Sequence, residues 1–320
     1  MKAVMYHYVD RGGETPPFGY YHLDRDDFAA QLDRFAECYD VLGRERFLET
    51  VRGGREPGES EVVLTFDDGL ADHYDHVLPE LVARDMWGIF YVSAGPYLDG
   101  RALDVHRVHA LLGACGGEAV AAELDALVEE SMLDDDHVDA FSGTVYERQD
   151  NESATERVKE ALNYYIADRH RSGVLRDLED ALVGGQSYHD DVYMTRDQLR
   201  ELADAGMLVG SHTVTHRVMS TLSVAEQRRE IEESFAFLEE TLDGLAVRTY
   251  CHPYGGAHSY DDSTLDLLEE VDCEFSFDVD ARDLSADDVE NARQRLPRYD
   301  CNEFPHGEST ASLGRGSEND

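Results

Sequence analysis

Two kinds of hydrophobic pattern alternate along the chain. Short apolar runs of strand type recur: AVMYHYV near the start, EVVLTFDDG at 61–69, GIFYVS at 88–93, MLVGS at 207–211, AVRTYCHPYGG at 246–256 and CEFSFDV at 273–279, with RLPRYD at 295–300 as the last. Between them lie helical spacings. Asp24 caps a helix to about residue 39 in which Phe28, Leu32 and Phe35 share a face, and 72–84 and 262–271 carry the same periodicity. Thr195 with Gln198, and Ser223 with Glu226, have capping-box spacing; the first pair opens a helix closed by Gly206, the second one running to about 242. Strand, helix, strand in quick succession predicts a parallel sheet with crossover helices, an α/β fold.

The rhythm breaks from about 102 to 190. Segments 105–114, 118–131, 152–167 and 174–183 are helical in periodicity, and Ser153 with Glu156 is spaced as a capping box. Acidic loops are expected at 134–139 and 147–152. The pattern predicts a helical insertion of about 102–190 within one domain spanning 1–306, followed by a polar, Gly/Ser-rich and disordered tail at 307–320.

Charge changes the picture more than any other compositional feature. The chain carries 28 basic against 69 acidic side chains, a formal charge of −41. The acids are spread along the whole chain, which predicts a salt-adapted, halophilic surface: at molar salt the Debye length falls to about 3 Å and self-repulsion is screened. The same charge argues against nucleic acid as a partner, because phosphate binding needs a basic surface. No run approaches the roughly 18 apolar residues of a membrane span. The opening MKAVMYHYVD lacks a basic segment followed by an apolar one, so a cytoplasmic location is expected. Five cysteines, odd in number and without a CxxC pair, suggest neither a zinc ribbon nor a disulfide framework. Self-association into a homo-oligomer is left open.

Three strand ends carry unusual residues: Asp67 and Asp68, His212 and His216, and Pro253-Tyr254-Gly255. In parallel α/β folds the C-terminal strand ends converge on the site. Adjacent acids after a strand point in different directions, so one can ligate a metal while the other stays free as a base. Taken alone, the acid pair is as readily a helix N-cap. His212 and His216 are four apart, which would bring both imidazoles to one side of a helical turn. Two histidines and a carboxylate form the protein half of a catalytic zinc site.

TFDDG at 65–69, SHTVTH at 211–216 and HPYG at 252–255 resemble, in that order, the first three motifs of the polysaccharide deacetylases (NodB-homology, carbohydrate esterase family 4-like). The resemblance covers about residues 1–305, and LPRYDCNEFP at 296–305 is similar to a branch associated with surface-sugar biosynthesis. It implies a distorted (β/α)7-type barrel with a helical insertion, and a hydrolase that removes an acetyl group from an N-acetylated sugar or glycan, polymeric or nucleotide- or lipid-linked. It further implies a divalent metal, foremost Zn2+, on Asp68, His212 and His216, with Asp67 as general base. The backbone N–H of Tyr254 would face the developing oxyanion, and Pro253, Tyr254, His252 and His7 would line the substrate pocket.

The chain departs from the family pattern twice. Many members carry arginine two residues before the proline, where this sequence has Cys251; Arg298 or Arg295 could reach the base from the last strand instead. The late Leu-x-His motif that supplies the family's general acid is not recognisable, and His306, His252 and His258 are the alternatives. Two rival functions therefore stand beside deacetylation: a non-sugar amidase on the same fold, and a degenerate sugar-binding or scaffolding protein. His106 and His109 read as satisfied or solvated histidines, Trp87, Phe90 and Tyr91 as core, and Tyr97 with Tyr254 as candidate sugar platforms.

Overall fold

The computed structural model describes residues 1–10, 20–141, 145, 152–185 and 192–310. Ten strands occur among them: β1 Lys2–Tyr6, β2 Val9–Asp10, β3 Leu23–Asp24, β4 Asp40–Val41, β5 Glu61–Phe66, β6 Gly88–Val92, β7 Leu208–Ser211, β8 Thr249–Cys251, β9 Phe275–Phe277 and β10 Tyr299–Asp300. The main sheet runs β10-β1-β5-β6-β7-β8-β9, with β4 added on β5. Every pairing in it is parallel. Both faces of such a sheet are covered, which is why β5 and β6 are buried along their whole length.

The two edges of the sheet are joined by one short run of chain. Leu296 bridges Phe277 of β9, and three residues later Tyr299 pairs with Val4 of β1. This closes the distorted (β/α)7 barrel expected from the sequence. Arg298 sits between the two contacts and is fully buried.

Alternation along the strands sorts side chains between the barrel interior and the surrounding helices. On the outer face Tyr6, Phe66 and Phe90 stack in a row, with ring centroids 5.2 and 4.6 Å apart, under Phe28 of the helix Arg25–Cys38. That helix is capped by Asp24, as its sequence predicts. The capping boxes at Thr195/Gln198 and Ser223/Glu226 are both formed, opening helices Arg196–Asp204 and Val224–Thr241.

The chain divides into two compact units: 1–11, 23–101 and 193–309 form the barrel, and 102–192 together with the distant segments 12–22 and 310–320 forms the other. The second contains helices Asp104–Cys115, Gly117–Leu127, Asp135–Phe141, Ser153–Glu160 and Asp168–Val183. Two expectations change here. Ser153 is the first helical residue rather than the cap, with Glu152 at the N-cap position and no side-chain cap bond. The acidic stretch at 134–139 is mostly helix, not loop: Asp135 and Asp136 lie in a first turn, where carboxylates favour the helix dipole, and Asp134 accepts from the His137 N–H at 3.3 Å. The other expected acidic loop falls, apart from Glu152, outside the described residues, as does the tail beyond Thr310. Thr310 itself makes an antiparallel bridge to His22.

Candidate active site

The strand ladders carry the site residues to their places. The Asp67 N–H donates to the Tyr6 carbonyl at 3.0 Å, the His212 N–H to Val92 at 3.0 Å and the His252 N–H to Phe277 at 3.0 Å, so each residue still belongs to the sheet's alternation. Asp67 therefore faces inward with Thr65, and Cys251 inward with Thr249, both pairs being fully or almost fully buried.

Beyond the strand ends the backbone leaves the sheet abruptly. Asp68 (φ 80), Thr213 (φ 66), His216 (φ 54) and Tyr254 (φ 61) all adopt left-handed conformations. Each such residue costs about 1–3 kcal/mol, and such strain gathers at functional sites. Gly255 (φ 66) completes the tight turn after Pro253, where a Cβ would come within 2.2 Å of Val279. The pair His212/His216 is thus not on a helical turn. It sits on a loop after β7, and the two rings meet because Thr213 and His216 reverse the chain, with centroids 4.7 Å apart.

The innermost contact is a buried fork. Arg298 Nη1 and Nη2 donate to Asp67 Oδ1 and Oδ2, each at 2.9 Å. Nη1 also reaches Thr65 Oγ1 at 3.0 Å, Nε the Asp278 carbonyl at 3.1 Å, and Nη2 the Cys251 sulfur at 2.9 Å. Burial alone would raise the Asp67 pKa; Arg298, with His212 and His7, outweighs it and holds the carboxyl down to about 2. Of the two arginines weighed from the sequence, Arg298 reaches the acid, whereas Arg295 is exposed. It gets there from the closing run of the barrel, directly opposite the small Cys251 side chain.

Beside this fork, ligating atoms of Asp68, His212 and His216 lie within 4.8 Å of one another. Asp68 Oδ1 is 3.4 Å from His212 Nε2 and 3.5 Å from His216 Nε2. The His212 Nδ1–H donates to the Cys251 carbonyl at 2.8 Å, which leaves Nε2 as the ring atom turned toward Asp68. Two imidazoles and one carboxylate, all buried, suit a borderline divalent cation. A second set, Asp67, His212 and Cys251, is equally close, but the Arg298 guanidinium already contacts two of its members and would repel a cation there.

Around these groups, the Tyr254 ring lies 5.0 Å from His216, and Pro253, the preceding residue, is buried. His7, half-buried at the end of β1, is near enough to Asp67 to favour its ionised form. His252 does not fit the substrate-lining role. Alternation sends its ring to the outer face of the sheet, where Nε2 contacts the Gln294 carbonyl at 2.8 Å and the ring stacks on Tyr260 at 4.1 Å. Burial pushes its pKa down to about 3, so the ring is neutral. His306 is exposed, and the Tyr97 ring is stacked on Phe237 at 4.8 Å rather than offered as a platform. His109 stacks on Tyr20 at 4.1 Å within the helical unit.

Nothing in the motifs marks Glu230, whose Oε2 accepts the Val214 and Thr215 N–H groups between the two histidines at 2.8 and 2.7 Å. Its signal is a charged residue on the buried stripe of helix Val224–Thr241, between Gln227 and Ser234.

Residues 179–276 match the sequence model of the family described as polysaccharide deacetylase. No curated protein matches the chain in sequence. Among solved structures, the fold is shared with the Streptococcus pyogenes deacetylase PplD in complex with acetate, at 17% identity and a TM-score of 0.57, over 98% of this chain and 93% of that one. The deacetylase domain of BpsB from Bordetella bronchiseptica follows at 15% and 0.52, over 94% and 95%. A de-N-acetylase from Aggregatibacter actinomycetemcomitans aligns at 14% and 0.50, over 93% of each chain. Across 179–276 the chain matches the polysaccharide deacetylase model in sequence, and over nearly its whole length it shares the fold of these solved deacetylases.

Proposed function

We propose that residues 1–306 form a metal-dependent N-deacetylase domain, with 102–190 inserted, acting on an N-acetylated sugar or glycan. The observation that carries this reading is the Arg298–Asp67 fork set against the Asp68/His212/His216 group. A divalent ion on that group, Zn2+ being the best match to its donors, would polarise the acetyl carbonyl and acidify water.

The protein's own residues do the rest. Asp67, kept ionised by Arg298, takes the proton from water as it attacks the carbonyl carbon. The fork fixes both carboxylate oxygens, so the base is held in one orientation. The Tyr254 backbone N–H donates to the carbonyl oxygen as negative charge builds on it, a contribution of about 3–4 kcal/mol for one such donor. When the C–N bond breaks, acetate departs and the sugar amine takes a proton; His7, facing the same interior as Asp67, is the histidine placed to hand it over. Pro253 and Tyr254 form the wall against which the acetylated ring rests.

A panel of N-acetylhexosamine substrates, free, oligomeric, nucleotide-linked and lipid-linked, should yield acetate and free amine in equal amounts with zinc-loaded protein. Release from formamide or cyclic amide substrates instead would favour the non-sugar amidase. Silence on every substrate, with intact sugar binding, would favour the scaffold. His7→Gln should lower kcat by roughly 10²–10⁴, the range of general acid–base catalysis, with little change in bound metal.

The acidic surface belongs to the same proposal: thermal unfolding should shift to higher temperature between 0.1 and 2 M KCl as self-repulsion is screened. A midpoint independent of salt would contradict salt adaptation. Among the described residues no helix is long and apolar enough to cross a membrane.

A further inference from the structure

Between the two histidines of the candidate metal group runs a loop of three residues; the Ala94 and Gly95 N–H groups donate to its Thr213 and Val214 carbonyls at 3.0 and 2.8 Å, and a buried carboxylate takes two of its N–H groups. Glu230, on the helix Val224–Thr241 and 2% exposed, accepts the Val214 N–H at 2.8 Å and the Thr215 N–H at 2.7 Å on Oε2, and the Thr215 hydroxyl at 2.7 Å on Oε1. One turn along the same helix, Ser234 Oγ lies 2.6 Å from Ser211 Oγ, at the residue before His212. Inside the loop the Thr213 hydroxyl accepts the His216 N–H at 3.0 Å, and the Ser93 hydroxyl donates to the His212 carbonyl at 2.7 Å. One helix therefore grips the loop at its root and at its tip.

The grip matters because the loop does not rest in a relaxed shape. Thr213 and His216 both have positive φ, an unfavourable region for a β-branched residue and for histidine outside tight turns. Ala94 and Gly95 hold the carbonyl side of the peptides between those residues and Glu230 the N–H side, so that together they fix the direction in which the His216 ring leaves the chain. A charged acceptor makes these bonds stronger than neutral ones. Fully buried, Glu230 has no solvent-facing task that would explain a carboxylate on the apolar stripe of a helix.

We infer that Glu230 is a positioning residue: it preorganises the 212–216 loop so that His216 presents its ring to the metal before the metal arrives. This rests on the metal-site reading above. The role is one of geometry more than of charge. Glutamine can accept both backbone N–H groups on its one carbonyl oxygen and donate its amide to a rotated Thr215 hydroxyl, so it preserves the pattern that alanine abolishes.

The test is a zinc competition titration on metal-free protein, wild type beside variants, with the metal-free melting temperature measured in parallel. Wild-type protein that takes up no zinc would sink the metal-site reading itself. If the wild type binds, Glu230→Ala should bind zinc 10- to 100-fold more weakly, the range for partners that orient ligands, and Glu230→Gln within a few-fold of wild type. Thr215→Val, which removes one bond and keeps the side-chain shape, should weaken binding by a few-fold at an unchanged melting temperature. Should Glu230→Ala fail to fold, Thr215→Val and Glu230→Gln decide. A lowered melting temperature with wild-type zinc affinity in both foldable variants, or Glu230→Ala that binds zinc as wild type does, would overturn the inference in favour of plain structural support.

Discussion

Arg298→Leu is expected to lower kcat by roughly 10²–10⁴ and to cost about 3–5 kcal/mol of stability, because it strands the buried Asp67 carboxylate without its partner. Both effects come from one geometry: a guanidinium with no solvent exposure, forked onto both oxygens of Asp67 at 2.9 Å. Acetate release and urea unfolding measure the two separately. The position of Cys251 adds a sharper version. Its sulfur touches Arg298 at 2.9 Å and lies 3.4 Å from Asp67, so an arginine placed there starts within reach of the same carboxylate. Adding Cys251→Arg to Arg298→Leu should recover part of the lost activity. Arg298→Leu with near-wild-type kcat would show that the fork is structural only.

Asp68→Asn and His212→Ala are each expected to abolish stable zinc binding and to reduce activity by roughly 10³-fold or more, as groups that act as a unit do. Asparagine is the informative choice at 68. It tolerates the φ of 80 observed there, so the backbone survives while one anionic ligand is lost. His252→Gln serves as the contrast: its ring lies on the outer face of the sheet, and it should keep zinc and most of the activity despite its place in the HPYG motif beside Tyr254. Equal losses at His252 and His212 would mean that the alternation argument has assigned the faces wrongly.

Much of this arrangement is legible in the amino-acid sequence. Strand and helix order followed from periodicity because parallel strands are buried on both faces and read as unbroken apolar runs. EVVLTF and GIFYV are the plainest cases. The three motif-bearing strand ends were legible because acids, histidines and a Pro-Tyr-Gly turn are out of place after apolar strands. The details that escaped depend on contacts between distant residues. Nothing local marks Arg298 over Arg295 as the buried partner of Asp67; the choice is made by the closing run, where Leu296 pairs with β9 and Tyr299 with β1 and the side chain between them has only the interior to enter. The His212/His216 spacing suggested a helical turn, and only the left-handed residues Thr213 and His216 reveal a loop instead. His252 was expected at substrate because it sits in the motif, yet a one-residue step along β8 puts it on the opposite face from Cys251. In the helical unit, Ser153 yielded the cap position to Glu152, a one-residue shift that propensity alone does not resolve.

In the proposed function, Asp68, His212 and His216 form a metal centre beside an arginine-clamped base. Elemental analysis of protein purified in high salt, wild type beside His212→Ala, tests it most directly. About one zinc or similar ion per wild-type chain is expected and none in the variant, both proteins being folded. Folded wild-type protein that remains metal-free after zinc is offered, or equal metal in the two proteins, would contradict it.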